Sequence, residues 1–326
     1  MIKTPVCELL GIETPIVLGG MAGATAAPLV TAVSNAGGLG TLGLGRLSAS
    51  QITEGIQAIR AATSKPFAVN FLAFLMSEDQ FAAALAEAPP VMAFAWASPE
   101  QPLGEYYERA KAAGSLVMHM AGTVEEAARA AESGADVIVA QGSEGGGHVG
   151  WMNTMPLVPM VVDAVAPIPV LAAGGIADGR GLAAALALGA DGVLIGTRFL
   201  ATEESPLHPN FKAAILHSDG HDTLLTEIPD VAAGRVWPGA MARHLRNRFI
   251  ERWAGQEWAL RQQQKAVAKK LDDARNAGDA DNGIVYMSQD AGLISEILPA
   301  GEVIRRMTEE AAAIISGRLA GLGKPS

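Results

Sequence analysis

Asp136-Val137-Ile138-Val139-Ala140-Gln141-Gly142-Ser143-Glu144-Gly145-Gly146-Gly147-His148-Val149-Gly150 joins a short apolar run to a glycine-dense loop carrying one imidazole. The run over 136–140 reads as a buried strand. A glycine-dense loop at the end of such a strand lets backbone N–H groups approach a ligand closely, and His148 adds an ionisable imidazole. Chemistry is expected in this loop.

Seven similar runs fall elsewhere in the chain, over 15–19, 39–42, 66–71, 91–95, 116–119, 169–172 and 192–195. Between them lie Ala-rich segments with helical periodicity, such as 48–62 and 123–133. Alternating strand and helix patterns indicate βα units around a parallel sheet, and eight units predict an α/β fold, a (β/α)8 TIM barrel. Such a barrel carries its site on the loops that follow the strands. The special residues fall there: Gly20-Met21-Ala22-Gly23 after the first strand, Asn70 closing the third, and the His148 loop after the sixth. Ala173-Gly174-Gly175 follows the seventh strand and Gly196-Thr197-Arg198 the eighth. The last two loops offer bare backbone donors and a hydroxyl, which suits the phosphate of a cofactor. The plainer alternative is that these glycines only permit tight turns.

The chain has 326 residues, 49% of them hydrophobic, which suffices for one large domain, or a large one with a small appendage. Its net charge of −10 argues against a nucleic-acid partner. The single Cys7 makes no internal disulfide and fits a reduced, cytoplasmic setting. No targeting pattern stands in residues 1–20, and no apolar run reaches the roughly 18 residues of a membrane span, so a soluble protein is expected. His217, His221 and His244 lack the spacing and company of ligands, and no metal is expected. His119 ends a strand where it could face the pocket, and His208 precedes Pro209 at a helix start.

The residues 35–40 (Asn-Ala-Gly-Gly-Leu-Gly), 66–70 (Pro-Phe-Ala-Val-Asn), 141–150 and 173–181, followed by Gly196-Thr197-Arg198-Phe199, resemble the nitronate monooxygenases, formerly 2-nitropropane dioxygenases. Related families are the FMN-dependent enoyl-ACP reductases and the NADH:quinone reductases. The resemblance spans nearly the whole chain. It implies FMN across the barrel mouth, with the phosphate held by Gly174, Gly175, Gly196 and Thr197 and the ring near Gly20, Met21, Asn70 and Gln141. Gly146, Gly147, Ala173, Ser288 and Gln289 complete the implied cofactor site. His148 is implied as the catalytic residue, acting on a nitroalkane or nitronate that reacts with O2 to give a carbonyl compound and nitrite. The sequence departs from relatives at Gly145, commonly alanine, and at Met120, where quinone-reductase relatives carry a basic residue.

Organisation is expected as a barrel over 1–204, a helical cap over 205–290 rich in charge and carrying Trp253 and Trp258, and a C-terminal helix within 291–326 that packs back on the barrel. Glu144 is expected to cap amides of its own loop. Two activities stay open: nitronate oxidation, and an NAD(P)H-dependent reduction of quinones or enoyl thioesters. A non-catalytic flavin-binding barrel is disfavoured, because a pure binder needs no ionisable group like His148. A homodimer is compatible with the sequence.

Overall fold

The computed structural model describes residues 2–322. Eleven strands occur among them: β1 (Ile16–Leu18), β2 (Gly40–Gly43), β3 (Phe67–Leu72), β4 (Val91–Ala95), β5 (Leu116–Ala121), β6 (Val137–Gln141), β7 (Gly147–Val149), β8 (Val170–Ala173), β9 (Gly192–Ile195), β10 (Thr223–Thr226) and β11 (Met241–Leu245). Eight of them form one parallel sheet in the order β1-β9-β8-β6-β5-β4-β3-β2. It closes where Val17 bridges Leu39, with Leu18 N–H donating to Leu39 O at 2.9 Å. The fold is the expected (β/α)8 barrel.

Strand alternation sorts the side chains between two apolar environments. Val17, Leu39, Ala68, Met118, Val139 and Leu171 fill the barrel interior, whereas Leu18, Val69, Phe94, Val117 and Ile138 pack outward against the helices. At the N-terminal end the interior is stoppered by a helix, Pro5–Leu10, which adds Val6, Cys7 and Leu10 to the interior cluster. Cys7 is therefore a core residue. At the opposite end Asn70, Met120 and Gln141 stand two residues beyond Ala68, Met118 and Val139 on the same strands, so period two aims all three into the mouth.

The region 205–290 is not purely helical. It holds helices Pro209–His217, Ile228–Ala233, Arg248–Trp253, Glu257–Gln262 and Gln264–Ala277, but also an antiparallel pair, β10 and β11. The glycine-dense loop adds β7 to the edge of β11, giving a second sheet in the order β10-β11-β7. These strands are three to five residues long and gain their stability from pairing, β7 with β11 across more than 90 residues, so no local pattern marks them. Trp253 is buried with Ile228, Phe249, Leu260 and Val267 in a small core of this region, while Trp258 is exposed. The helix Ala300–Ala313 lies back on the helix Gly179–Ala187, burying Val303, Ile304, Met307 and Ala311. The last four residues of the C-terminal segment, 323–326, lie outside the described residues.

The glycines of 35–40 have a packing cause. A methyl at Gly38 would sit 2.7 Å from Ile16 O, and one at Gly40 would overlap Val30 O on the helix Ala27–Asn35. That helix lies against β2 closely enough to exclude any side chain. Gly40→Ala is therefore expected to lower unfolding free energy by about 1–3 kcal/mol in urea denaturation. Gly301→Ala, whose new methyl meets only the Ala36 methyl at 3.5 Å inside a helix, should be neutral or slightly stabilising.

Candidate active site at the barrel mouth

The loop after β1 is pressed against the ends of β2 and β3. A methyl on Gly20 would collide with the Asn70 side chain, and one on Gly43 would lie 2.6 Å from the carbonyl carbon of Met21. Thr25 Oγ1 fixes this contact, accepting from Gly43 N–H at 2.8 Å and donating to Met21 O at 3.0 Å. Met21 Sδ in turn lies 3.4 Å from where a Gly196 methyl would be. Gly20, Met21, Asn70 and Gly196 thus gather on one side of the mouth.

A second group gathers beside them. Gly174 and Gly175 adopt φ of 99° and 75°, values that favour glycine, as the chain leaves β8 beyond Ala173. A methyl on Gly146 would lie 2.5 Å from the carbonyl carbon of Met287 and 2.7 Å from Ser288 N. Ser288 N–H donates to Thr197 Oγ1 at 3.0 Å, and Gln289 N–H donates to Glu144 O at 3.0 Å. The segment 287–289 therefore closes over the loops after β6 and β9. Glu144 plays a different part from the one expected. Its carboxylate accepts from Thr154 N–H at 2.9 Å and from Thr154 Oγ1 at 2.9 Å, so it caps the following helix, Thr154–Val165, rather than its own loop.

His148 stands on β7 opposite Ala242 of β11. Its Nε2 lies 3.0 Å from both oxygens of Asp230, which is presented by the helix Ile228–Ala233. One face of the ring stacks on Trp237, with centroids 3.3 Å apart and planes 13° apart. Trp237 continues into Phe74 at 4.8 Å and Trp96 at 6.1 Å, which follow β3 and β4. Trp96 has φ of 59°, an unusual backbone for a bulky side chain and a sign that its surroundings hold it. Arg243 of β11 secures the loop, donating from Nη2 to Ser143 O at 2.8 Å and from Nε at 3.1 Å. Sequence reasoning missed Asp230 and Trp237. Both lie in the cap, more than 80 residues from His148, without a motif around them.

His119 is redirected by the strand's own alternation. It is fully buried on the outer side of β5, with Nδ1 2.7 Å from the Tyr107 hydroxyl and Nε2 3.8 Å from Glu126, so it braces two helices rather than facing the mouth. His208 Nδ1 accepts from Asn210 N–H at 3.2 Å and caps the helix Pro209–His217. Among the described residues no three His, Cys, Asp or Glu side chains converge as metal ligands.

Two buried titratable groups flank the site with opposite signs. His244 on β11 is fully buried, with no hydrogen bond to either ring nitrogen, beside the Tyr286 ring at 4.7 Å. Burial first, then the nearby His148 and Arg243, pull its pKa down to about 3. The folded protein leaves His244 neutral while the unfolded chain protonates near 6.5, so stability falls as pH drops from about 6.5 towards 3. Burial raises the Asp290 carboxyl to about 7, which gives a loss of stability as pH rises from about 4 to 7. His244→Phe is expected to flatten the acid limb of the stability–pH curve, and Asp290→Asn the limb between pH 4 and 7, both read by urea denaturation. An unchanged acid limb in His244→Phe would assign it to other groups.

The geometry can be set beside known proteins. The profile of the nitronate monooxygenase family matches residues 3–88 and 77–310. A probable nitronate monooxygenase of Staphylococcus haemolyticus is 36% identical over 291 residues, 75% of this chain and 78% of the relative. The (3aS,4S,5R,7aS)-5-hydroxy-7a-methyl-1-oxo-octahydro-1H-indene-4-carboxyl-CoA dehydrogenase of Mycobacterium tuberculosis is 42% identical over 238 residues, 72% of this chain and 66% of that enzyme. Among solved structures, FabK of Thermotoga maritima superposes with a TM-score of 0.88 at 36% identity, covering 99% of this chain and 100% of its own. Nitroalkane oxidase of Streptomyces ansochromogenes does so at 0.84 and 30% identity, covering 96% and 99%. With its profile matched across the barrel and the cap alike, the chain belongs to the nitronate monooxygenase family, whose members are flavin-dependent oxidoreductases.

Proposed function

We propose that this protein is an FMN-dependent nitronate monooxygenase, a cytoplasmic enzyme converting alkyl nitronates and O2 to carbonyl compounds and nitrite. The observation that carries the reading is the Asp230–His148 pair, held at the mouth of a barrel of this family.

The residues present suit FMN. Gln141 Oε1 and Ser288 Oγ are buried without hydrogen-bond partners, an arrangement that a polar ligand would relieve. Thr197 Oγ1 accepts from Ser288 N–H, which leaves its own proton for an anion beside Gly174, Gly175 and Gly196. In this reading those five residues hold the phosphate, and Gly20, Met21, Asn70, Gln141, Gly146, Gly147, Ala173 and Gln289 border the rest of the cofactor. Bound FMN would supply the electron acceptor and the reactivity towards O2.

The chain's own residues handle the proton. Asp230 accepts the Nε2–H of His148, which fixes the tautomer and leaves the Nδ1 lone pair to take a proton from the carbon beside a nitro group. With an already anionic nitronate, the protonated ring donates to the nitro oxygens instead. The stacked Trp237 keeps water from one face of the ring and limits its rotation.

A second reading, an NAD(P)H-dependent FMN reductase of quinones or enoyl thioesters, draws on the 42% identity to a dehydrogenase of a CoA thioester. Anaerobic stopped-flow absorbance of the flavin-loaded protein separates the two. Propyl-2-nitronate should reduce the flavin rapidly and NADH or NADPH should not; the reverse result would overturn the first reading in favour of the second. Turnover of 2-nitropropane, which requires deprotonation, should fall about 10²–10⁴-fold in His148→Asn, and Asp230→Asn should lose a large part of the same factor.

A further inference from the structure

Two arginines near the mouth are not used by this reading. Arg46 follows β2 and Arg275 lies on the cap helix Gln264–Ala277. Their positions are linked through the loop after β1. Gly45, at φ of 44°, is packed so tightly on Ala22 that a methyl would overlap the Ala22 side chain, and a methyl on the adjacent Gly23 would lie 2.8 Å from Arg275 Nη2. Gln80 Nε2 secures the Arg46 turn by donating to Leu47 O at 2.7 Å. Both guanidinium charges act on the Tyr286 hydroxyl, whose ring lies 6.2 Å from that of His148. Both side chains are exposed.

Neither guanidinium has a carboxylate within 4.0 Å among the described residues. That is unusual for this chain, in which 34 acidic residues outnumber 24 Lys and Arg and most exposed arginines are paired, as Arg60 is with Glu87 and Arg180 with Asp178. Two unpaired planar cations linked through the loop after β1 suit the oxygens of a diphosphate, which guanidinium groups bind in a bidentate manner. They also focus positive potential at the mouth of an otherwise acidic molecule.

We infer that Arg46 and Arg275 form an anion subsite at the rim of the mouth that holds the diphosphate of a substrate or cosubstrate while its reactive end reaches His148. The shared chemistry is an adenosine diphosphate group, as found in CoA thioesters and in pyridine nucleotides. The inference goes beyond the nitronate reading and does not depend on it.

Isothermal titration of the flavin-loaded protein with ADP, and with adenosine as the uncharged control, tests it. ADP should bind and adenosine should not, and Arg46→Ala and Arg275→Ala should each weaken ADP binding about tenfold, with the flavin absorbance spectrum unchanged. Arg46→Lys should recover part of the loss, since it restores charge without the planar fork. Titration with CoA and with NADPH then identifies the source, the true one binding more tightly than ADP and losing affinity in both variants. No binding of ADP, CoA or NADPH, or equal affinity in the wild type and the double variant, would overturn the inference. Because the titration reads binding rather than turnover, failure of nitronate oxidation and failure of this subsite are distinguished.

Discussion

The pairing of β7 with β11 is the interaction on which the site depends. Three residues of a glycine-dense loop become a strand only because the cap offers an edge, and that pairing sets His148 opposite Ala242. Asp230 and Trp237 then reach the ring from the same cap, one through Nε2 and the other across its face. The barrel supplies a floor of Asn70, Met120 and Gln141 and the loop that carries His148, and the cap supplies the Asp230 and Trp237 that hold the imidazole. Neither part alone makes a site. A loop that binds through its backbone must be rich in glycine and so entropically loose, and a small sheet is an economical way to order it.

Much of this was legible in the chain. Short apolar runs mark strands buried on both faces, and all eight barrel strands lie within two residues of their expected positions, because period and burial there are local properties. The loops after β1, β6, β8 and β9 were readable because glycine clusters at strand ends have few uses. The second sheet was not readable. Thr223-Leu224-Leu225-Thr226 and Met241-Ala242-Arg243-His244-Leu245 carry no strong alternation and are strands by virtue of what they meet. His119 shows how narrow the margin is: the strand runs on to Ala121, and one step of parity turns His119 to the helices and Met120 to the mouth. Asp230 had no signal, since a carboxylate 82 residues from its histidine is defined only by the fold.

Polar burial around the mouth follows one pattern. Gln141 Oε1, Ser288 Oγ, Trp237 Nε1 and both nitrogens of His244 are buried there without hydrogen-bond partners. Each unsatisfied buried group costs about 1–3 kcal/mol, so evolution retains several together only where binding relieves them or function needs them. The same trade appears at Trp96, where the backbone is held in a left-handed conformation beside Trp237. Stability is thus surrendered at the end of the barrel where ligands meet the protein, while the stoppered end around Cys7 and Leu10 is closely packed and apolar.

In the proposed mechanism Asp230 accepts Nε2–H and thereby makes Nδ1 the proton-accepting atom of His148. Nitrogen-15 NMR of the flavin-loaded protein with labelled histidine, assigned by His148→Asn, reads the tautomer directly. A protonated Nε2 and an unprotonated Nδ1 are expected in the neutral ring, with the preference lost in Asp230→Asn. A proton resident on Nδ1 of the neutral ring, or a tautomer indifferent to Asp230, would contradict it.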